Sequence, residues 1–207
     1  MRERATIYER YVKRALDVSL SGAALVVLSP LMLATAAAVK LDSKGPVLFC
    51  QQRLGLHGEP FTMYKFRSMR TDTPKDMPTH LLQHPDACIT RTGRFLRKTS
   101  LDELPQLLNI LAGDMSVIGP RPALWNQEDL FQERERYGAN DVRPGLTGWA
   151  QIHGRDELEI PEKARLDGEY VEHLSFSFDC KCFFGTIGKV LRQEGVVEGG
   201  TGVLQKQ

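Results

Sequence analysis

From Val18 to Val39 the chain runs 22 residues without a charge, in a stretch rich in Leu, Val and Ala. As a straight helix this run would be about 33 Å long, close to the roughly 30 Å hydrocarbon core of a bilayer. Few soluble domains of this size need so long an uncharged helix, so the run restricts the chain to a membrane helix or a deeply buried core helix. Ser29-Pro30 sits at its middle, where proline breaks or kinks a helix. Arg10, Lys13 and Arg14 precede it, and Lys40 and Lys44 follow it. Lys and Arg mark the cytoplasmic side, so cations at both ends predict a helix of about residues 16–40 that enters the bilayer and returns to the same face. Ser29 or nearby protein would supply partners for backbone exposed at the break. No secretory cleavage site follows the run, so it does not read as a signal peptide.

The other informative stretch is Ser100–Pro122. Leu101, Leu104, Leu107, Leu108 and Leu111 recur at helical spacing, while Asp102, Gln106 and Asn109 share a second face. Gly113 is placed to end that helix. Asp102 and Glu103 fall at its start, where unpaired N–H groups and the helix dipole predict an ionised carboxylate, able to act as nucleophile or hold a cation. Ser100-Leu-Asp-Glu103 also fits a capping box, although Pro105 suits a start nearer Asp102. The helix alone leaves the two readings open.

Between these stretches, Pro46–Gln52 and Phe61–Met69 read as strands flanking a Gly-containing hairpin loop. Lys65 and Arg67, two apart, share a strand face, and such a pair can hold a pyrophosphate or simply face solvent. Residues 70–88 form a long loop broken by Pro74, Pro78 and Pro85, a candidate lid. Within it His80 and His84 lack a third metal ligand. Arg91, Arg94, Arg97 and Lys98 lead into the acid pair, a charge pattern suited to an anion, although Arg91 and Arg94 read better as a solvated or lipid-headgroup-facing stripe. Arg121 in Gly119-Pro-Arg-Pro122 and Arg143 in Val142-Arg-Pro-Gly145 are pinned by rigid turns. Residues 126–137 read as a charge-laden surface helix, and a helix over roughly 161–173 carries Asp167, with Gly168 as its weak point. Cys180, Phe183, Phe184, Ile187, Val190 and Leu191 make a final amphipathic helix, with Asp179 at its start as a default N-cap. The Gly-rich tail from 195 onward reads as flexible.

With a net charge of +1 there is no global field for nucleic acid. Cys50, Cys88, Cys180 and Cys182 lack zinc spacing and read as reduced thiols. The fold class expected is α+β and mainly helical: a re-entrant membrane helix broken at Ser29-Pro30, a small β-hairpin, and amphipathic interfacial helices around the site. Residues 1–194 would form one monotopic domain with its globular part at about 45–192.

Together these segments resemble the bacterial sugar transferase family, the small monotopic phosphoglycosyl transferases. The matching pieces are Lys13-Arg14…Asp17, Ser29-Pro30, Gly45-Pro-Val47, Tyr64-Lys-Phe-Arg-Ser-Met69 and Thr90-Arg-Thr-Gly-Arg-Phe-Leu-Arg97. They continue with Leu101-Asp-Glu-Leu-Pro-Gln106, Gly113-Asp-Met-Ser116, Gly119-Pro-Arg-Pro122 and Arg143-Pro-Gly…Thr-Gly-Trp-Ala-Gln151. The resemblance covers about residues 8–192 and lacks the large N-terminal membrane domain of longer relatives, so a minimal catalytic unit is expected. It implies transfer of a phosphosugar from a UDP-sugar to polyprenyl (undecaprenyl) phosphate, with Mg²⁺ and release of UMP, as the first membrane step of glycan assembly. Asp102 corresponds to the family's nucleophile and Glu103 to its neighbouring glutamate, with Mg²⁺ expected at Asp102 and Glu103. Lys65, Arg97 and Asp179 match further functional positions, and Arg67, Arg121 and Arg143 are added as phosphate-binding candidates. The setting implied is the cytoplasmic face of the inner membrane, with a homodimer or glycosyltransferases as partners. A catalytically silent membrane scaffold of a glycan-assembly complex is the competing expectation. His153 stands where the family usually has asparagine, and Gly168-Glu169 replaces a more usual Val-Tyr.

Overall fold

The computed structural model describes residues 6–74, 85–154 and 158–192. His80, His84, Asp156, most of the candidate lid and the tail lie outside these residues. A π-helical turn at Tyr8–Val12 leads into α1, Lys13–Asp42. The helix shows an inverted pattern. Asp17, Ser21 and Thr35 are buried at 5% exposure or less, while Val26, Val27 and Leu33 are more than 70% exposed. Only 11% of its most apolar window is covered by protein. A core helix buries its apolar side chains; this one turns them outward and docks its polar ones, as a lipid-facing helix does.

The backbone stays helical through Pro30, so the expected break is not an interruption of the helix. Proline withholds the N–H that would reach the Val26 carbonyl, and Ser29 Oγ donates to that carbonyl at 2.8 Å instead. Both ends of α1 dock on the globular part. Asp17 Oδ1 accepts from Ser116 Oγ and the Val117 N–H at 3.0 and 2.9 Å, and Arg14 donates to the carbonyls of Ile110 and Leu111. At the far end Arg67 donates to the carbonyls of Ser43 and Lys44.

β1 (Leu48–Leu54) and β2 (Pro60–Phe66) pair antiparallel from Leu48↔Phe66 to Leu54↔Pro60. The hairpin is the expected one, with both strands displaced by a few residues. The free edge of β2 is closed by a side chain: Asn109 accepts from the Tyr64 N–H at 3.1 Å and donates to the Thr62 carbonyl at 2.7 Å. Helices α2 (Pro85–Cys88), α3 (Arg91–Thr99) and α4 (Gln106–Ala112) follow. α4 packs between α1 and β2, burying Leu107 and Ile110 against Met63 and Met115.

Two three-residue strands, β3 (Ser116–Ile118) and β4 (Gly145–Thr147), form a parallel pair with α5 (Glu128–Glu135) between them in sequence. α6 (Trp149–His153), α7 (Ile160–Glu172) and α8 (Phe176–Arg192) complete the fold. Gly168 is no weak point. A Cβ there would lie 2.5 Å from that of Tyr137, so the close approach of Tyr137 to α7 requires glycine. On α8, Cys182 is buried, whereas Phe183, Phe184 and Ile187 are 42–67% exposed, which turns the apolar face outward. The four cysteines are free.

Candidate active site

α3 ends at Ser100, which is left-handed (φ 56°) and sends its N–H back to Arg97. A 3₁₀ turn, Leu101–Glu103, follows directly, then Pro105 and α4. Ser100 therefore closes one helix and makes no side-chain cap for the next, so the capping-box reading does not describe this turn. The tight turn sets Asp102 and Glu103 side by side, both buried, with Asp102 at 9% exposure.

Glu103 Oε1 accepts from Lys65 Nζ at 3.0 Å and Arg121 Nη2 at 2.9 Å. Asp102 carries no hydrogen bond among the described residues, and its environment is electrostatic. Burial raises its pKa, opposed by Lys65, reinforced by Glu103, and opposed further by Arg97 and Arg121. The direction is opposite to that expected from a helix N-terminus, because loss of water outweighs the cations. Burial likewise lowers the pKa of Lys65, against the pull of Glu103, with Arg121 pushing the same way as burial. Three cations surround two carboxylates. The surplus positive charge suits a diphosphate.

Arg53 was not singled out from sequence. Its Nη1 donates to the Pro122 carbonyl at 3.0 Å, its Nε and Nη2 donate to Gln51 Oε1, and the Leu54 N–H reaches the Ala123 carbonyl. The outer edge of β1 thus fixes the turn that carries Arg121. Period-two alternation of Gln51 and Arg53, continued across the hairpin to Lys65, was the available signal.

Three sequence candidates stand elsewhere. Arg67 is 4% exposed and committed to the α1 terminus, reaching Ser43 O at 2.8 Å, Ser43 Oγ at 2.9 Å and Lys44 O at 2.5 Å. Its neighbour Phe66 closes the same end against Val39 and Leu96. Arg143 donates Nε to the Gly113 carbonyl at 2.9 Å, at the end of α4 opposite the acid pair. Asp179 accepts from Tyr8 OH at 2.6 Å, Lys13 Nζ at 2.6 Å and Tyr170 OH at 2.7 Å, tying the start of α1 to α7 and α8. It lies inside the first turn of α8, its own N–H bonded to Ser175 O, so it is not the N-cap. Asp167 is paired with Arg134, both donor nitrogens meeting one carboxylate oxygen at 2.8 and 2.6 Å. His153 bonds through Nδ1 to the Trp149 carbonyl within α6. Arg67→Met is expected to lower stability by about 1.5–3 kcal/mol, with KM for a sugar nucleotide held within about twofold. Thermal unfolding and initial rates on the same preparation check it.

The family model described as bacterial sugar transferase matches residues 8–193. This chain belongs to that family. The transferase is 45% identical over 186 residues to the uncharacterized sugar transferase EpsL of Bacillus subtilis, covering 89% of this chain and 90% of the relative. It is 45% identical over 187 residues to the UDP-glucose:undecaprenyl-phosphate glucose-1-phosphate transferase of Escherichia coli, covering 87% and 40%. It is 40% identical over 186 residues to the UDP-N-acetylgalactosamine-undecaprenyl-phosphate N-acetylgalactosaminephosphotransferase of Aeromonas hydrophila, covering 87% and 44%. The transferase thus spans nearly all of the first relative and less than half of the other two.

Proposed function

We propose that this sugar transferase moves a sugar-1-phosphate from a UDP-sugar to undecaprenyl phosphate through a covalent phosphosugar on Asp102. One observation carries the reading: Asp102 is an unbonded carboxylate set among Lys65, Arg97 and Arg121, beside a glutamate that is already held. Phosphoryl transfer depends chiefly on positioning and charge stabilisation, and a nucleophile left free among fixed cations meets both needs. The Asp102 carboxylate attacks the β-phosphorus, the bond from phosphorus to the bridging oxygen breaks, and UMP leaves with the electron pair. The lipid phosphate then attacks the same phosphorus and frees Asp102. Glu103 orients Lys65 and Arg121, and these with Arg97 neutralise the phosphate oxygens.

Mg²⁺ fits the donor set. Adjacent carboxylates at Asp102 and Glu103 offer hard oxygens, and Mg²⁺ commonly takes one or two carboxylates plus substrate phosphates. Among the described residues no group of three metal-ligating side chains is assembled, so phosphate oxygens would complete the shell. Bound there, the ion would offset diphosphate charge.

A lipid acceptor accounts for α1. Its two ends dock on one globular body while its middle turns apolar residues outward, which supports an entry into the bilayer and a return to the same face. Cations at both ends support the cytoplasmic face, and the exposed aromatic face of α8 supports a helix lying in the interface. The product would be the lipid-linked first sugar of a glycan.

The test is a UDP-sugar screen with the full chain in vesicles containing undecaprenyl phosphate and Mg²⁺, reading UMP. The expected result is UMP release with parallel double-reciprocal lines when donor and lipid are varied, the ping-pong pattern of a covalent intermediate. Absence of UMP with every donor tried would favour the silent scaffold.

A further inference from the structure

Gln106 is 1% exposed, and its amide Nε2 is fully shielded without a hydrogen-bond partner. Buried donors are paired in the great majority of cases, because an unpaired one loses its water and gains nothing. Asn109, one turn further along α4, shows the usual solution: its amide bonds to Tyr64, Thr62 and Asp114. Gln106 instead stands one turn after the acid pair, at i+4 from Asp102 and i+3 from Glu103. Helical side chains lean toward the N-terminus, which directs Gln106 toward the turn that carries that pair. Asp102 below it also lacks a hydrogen bond. Gln106 Nε2 is thus a shielded donor without a partner, one turn from a carboxylate that makes no side-chain hydrogen bond among the described residues, in a site that satisfies Glu103 twice. An acceptor oxygen brought to the turn would satisfy the Gln106 donor.

We propose that Gln106 is a catalytic residue that donates its amide N–H to a non-bridging oxygen of the phosphoryl group while that group is bonded to Asp102. The proposal rests on the reading of Asp102 as nucleophile. When the Asp102–phosphorus bond forms and the bond to the UMP oxygen breaks, the transferred phosphorus keeps its non-bridging oxygens at the mouth of the turn. The terminal amide torsion of glutamine is soft, so the N–H can swing to meet one of them. The donor is neutral and gives up no existing hydrogen bond to make this contact. When the lipid phosphate attacks and the bond to Asp102 breaks, the same contact serves the second transfer.

The test uses the full chain with two variants, Gln106→Leu and Gln106→Glu, against wild type. Readouts are Tm and the single-turnover rate of labelled phosphosugar incorporation from a UDP-sugar that wild type uses. Leucine removes an unpaired donor, so Tm should rise by about 2–4 °C. The same variant should form adduct on the order of 10²–10³-fold more slowly, with the donor's affinity little changed. Gln106→Glu keeps the size and loses the donor, and should lose the rate as well. Adduct formation at the wild-type rate in Gln106→Leu overturns the proposal, as does a joint fall of Tm and rate, the mark of a packing residue. Absence of adduct in wild type would instead sink the Asp102 reading and this proposal with it.

Discussion

Asp102→Asn is expected to abolish adduct formation and to slow UMP release by roughly 10⁴-fold or more, the scale seen when a nucleophile is removed. Affinity for the sugar nucleotide should survive, because Lys65 and Arg121 are held by Glu103 and not by Asp102. The pattern is therefore a loss in kcat with KM little moved. Stability should move the other way. The folded protein raises the pKa of Asp102 above its unfolded value of 3.8, chiefly by burial. Below the unfolded value the side chain is protonated in both states, and its full favourable contribution is present. As pH rises through the folded value that contribution is lost, since the buried group must ionise. Asparagine never ionises, so Tm of the variant relative to wild type should climb as pH is raised from below 3.8 to neutrality. For wild type, the same shift places the acid limb of kcat/KM above the pH at which an ordinary aspartate titrates. A Tm difference independent of pH would show that Asp102 ionises as it does in the unfolded chain.

The largest stability effect is expected away from the site, at Asp167. Arg134 and Asp167 join α5 to α7 with side chains 5% and 2% exposed, and Arg134 donates twice to one oxygen. Asp167→Leu leaves the guanidinium buried and unpaired. That typically costs about 3–5 kcal/mol, or roughly 10 °C in Tm for a chain of this length. The double variant Arg134→Met with Asp167→Leu removes both charges and should recover most of the loss. The cycle separates an uncompensated charge from lost packing: if the double variant is as unstable as the single one, the pair's contribution is packing. UMP release per folded molecule should be unchanged in both.

What could be read from the chain and what could not divides along physical lines. The Val18–Val39 helix, the hairpin and the adjacency of Asp102 and Glu103 rest on composition, strand patterning and neighbours in sequence, all local, whereas the ion pair of Lys65 with Glu103, 38 residues apart, does not. The continuity of α1 through Pro30 depends on one hydroxyl bond from Ser29 to Val26, an option that sequence offers without deciding. β3 and β4 are three residues each, too short for a periodic signal, and their pairing is fixed by tertiary contacts that include Asp17. The tasks of Arg67, Arg143 and Asp179 were beyond sequence for a related reason. A long or charged side chain serves whichever partner the fold brings to it, and here those partners are the carbonyls of Ser43, Lys44 and Gly113 and the hydroxyls of Tyr8 and Tyr170. The sequence points to an ionised Asp102 at a helix N-terminus, whereas the chain makes a buried 3₁₀ turn there, and that burial raises the pKa of Asp102.

The most direct measurement is the intact mass of the wild-type protein after incubation with an accepted UDP-sugar and Mg²⁺, with the lipid acceptor left out. The account predicts a mass increase of one sugar phosphate per chain, located on the peptide that carries Asp102, and an equal amount of free UMP. An unchanged protein mass, with UMP appearing only once undecaprenyl phosphate is added, would mean direct transfer between the two substrates and would contradict it.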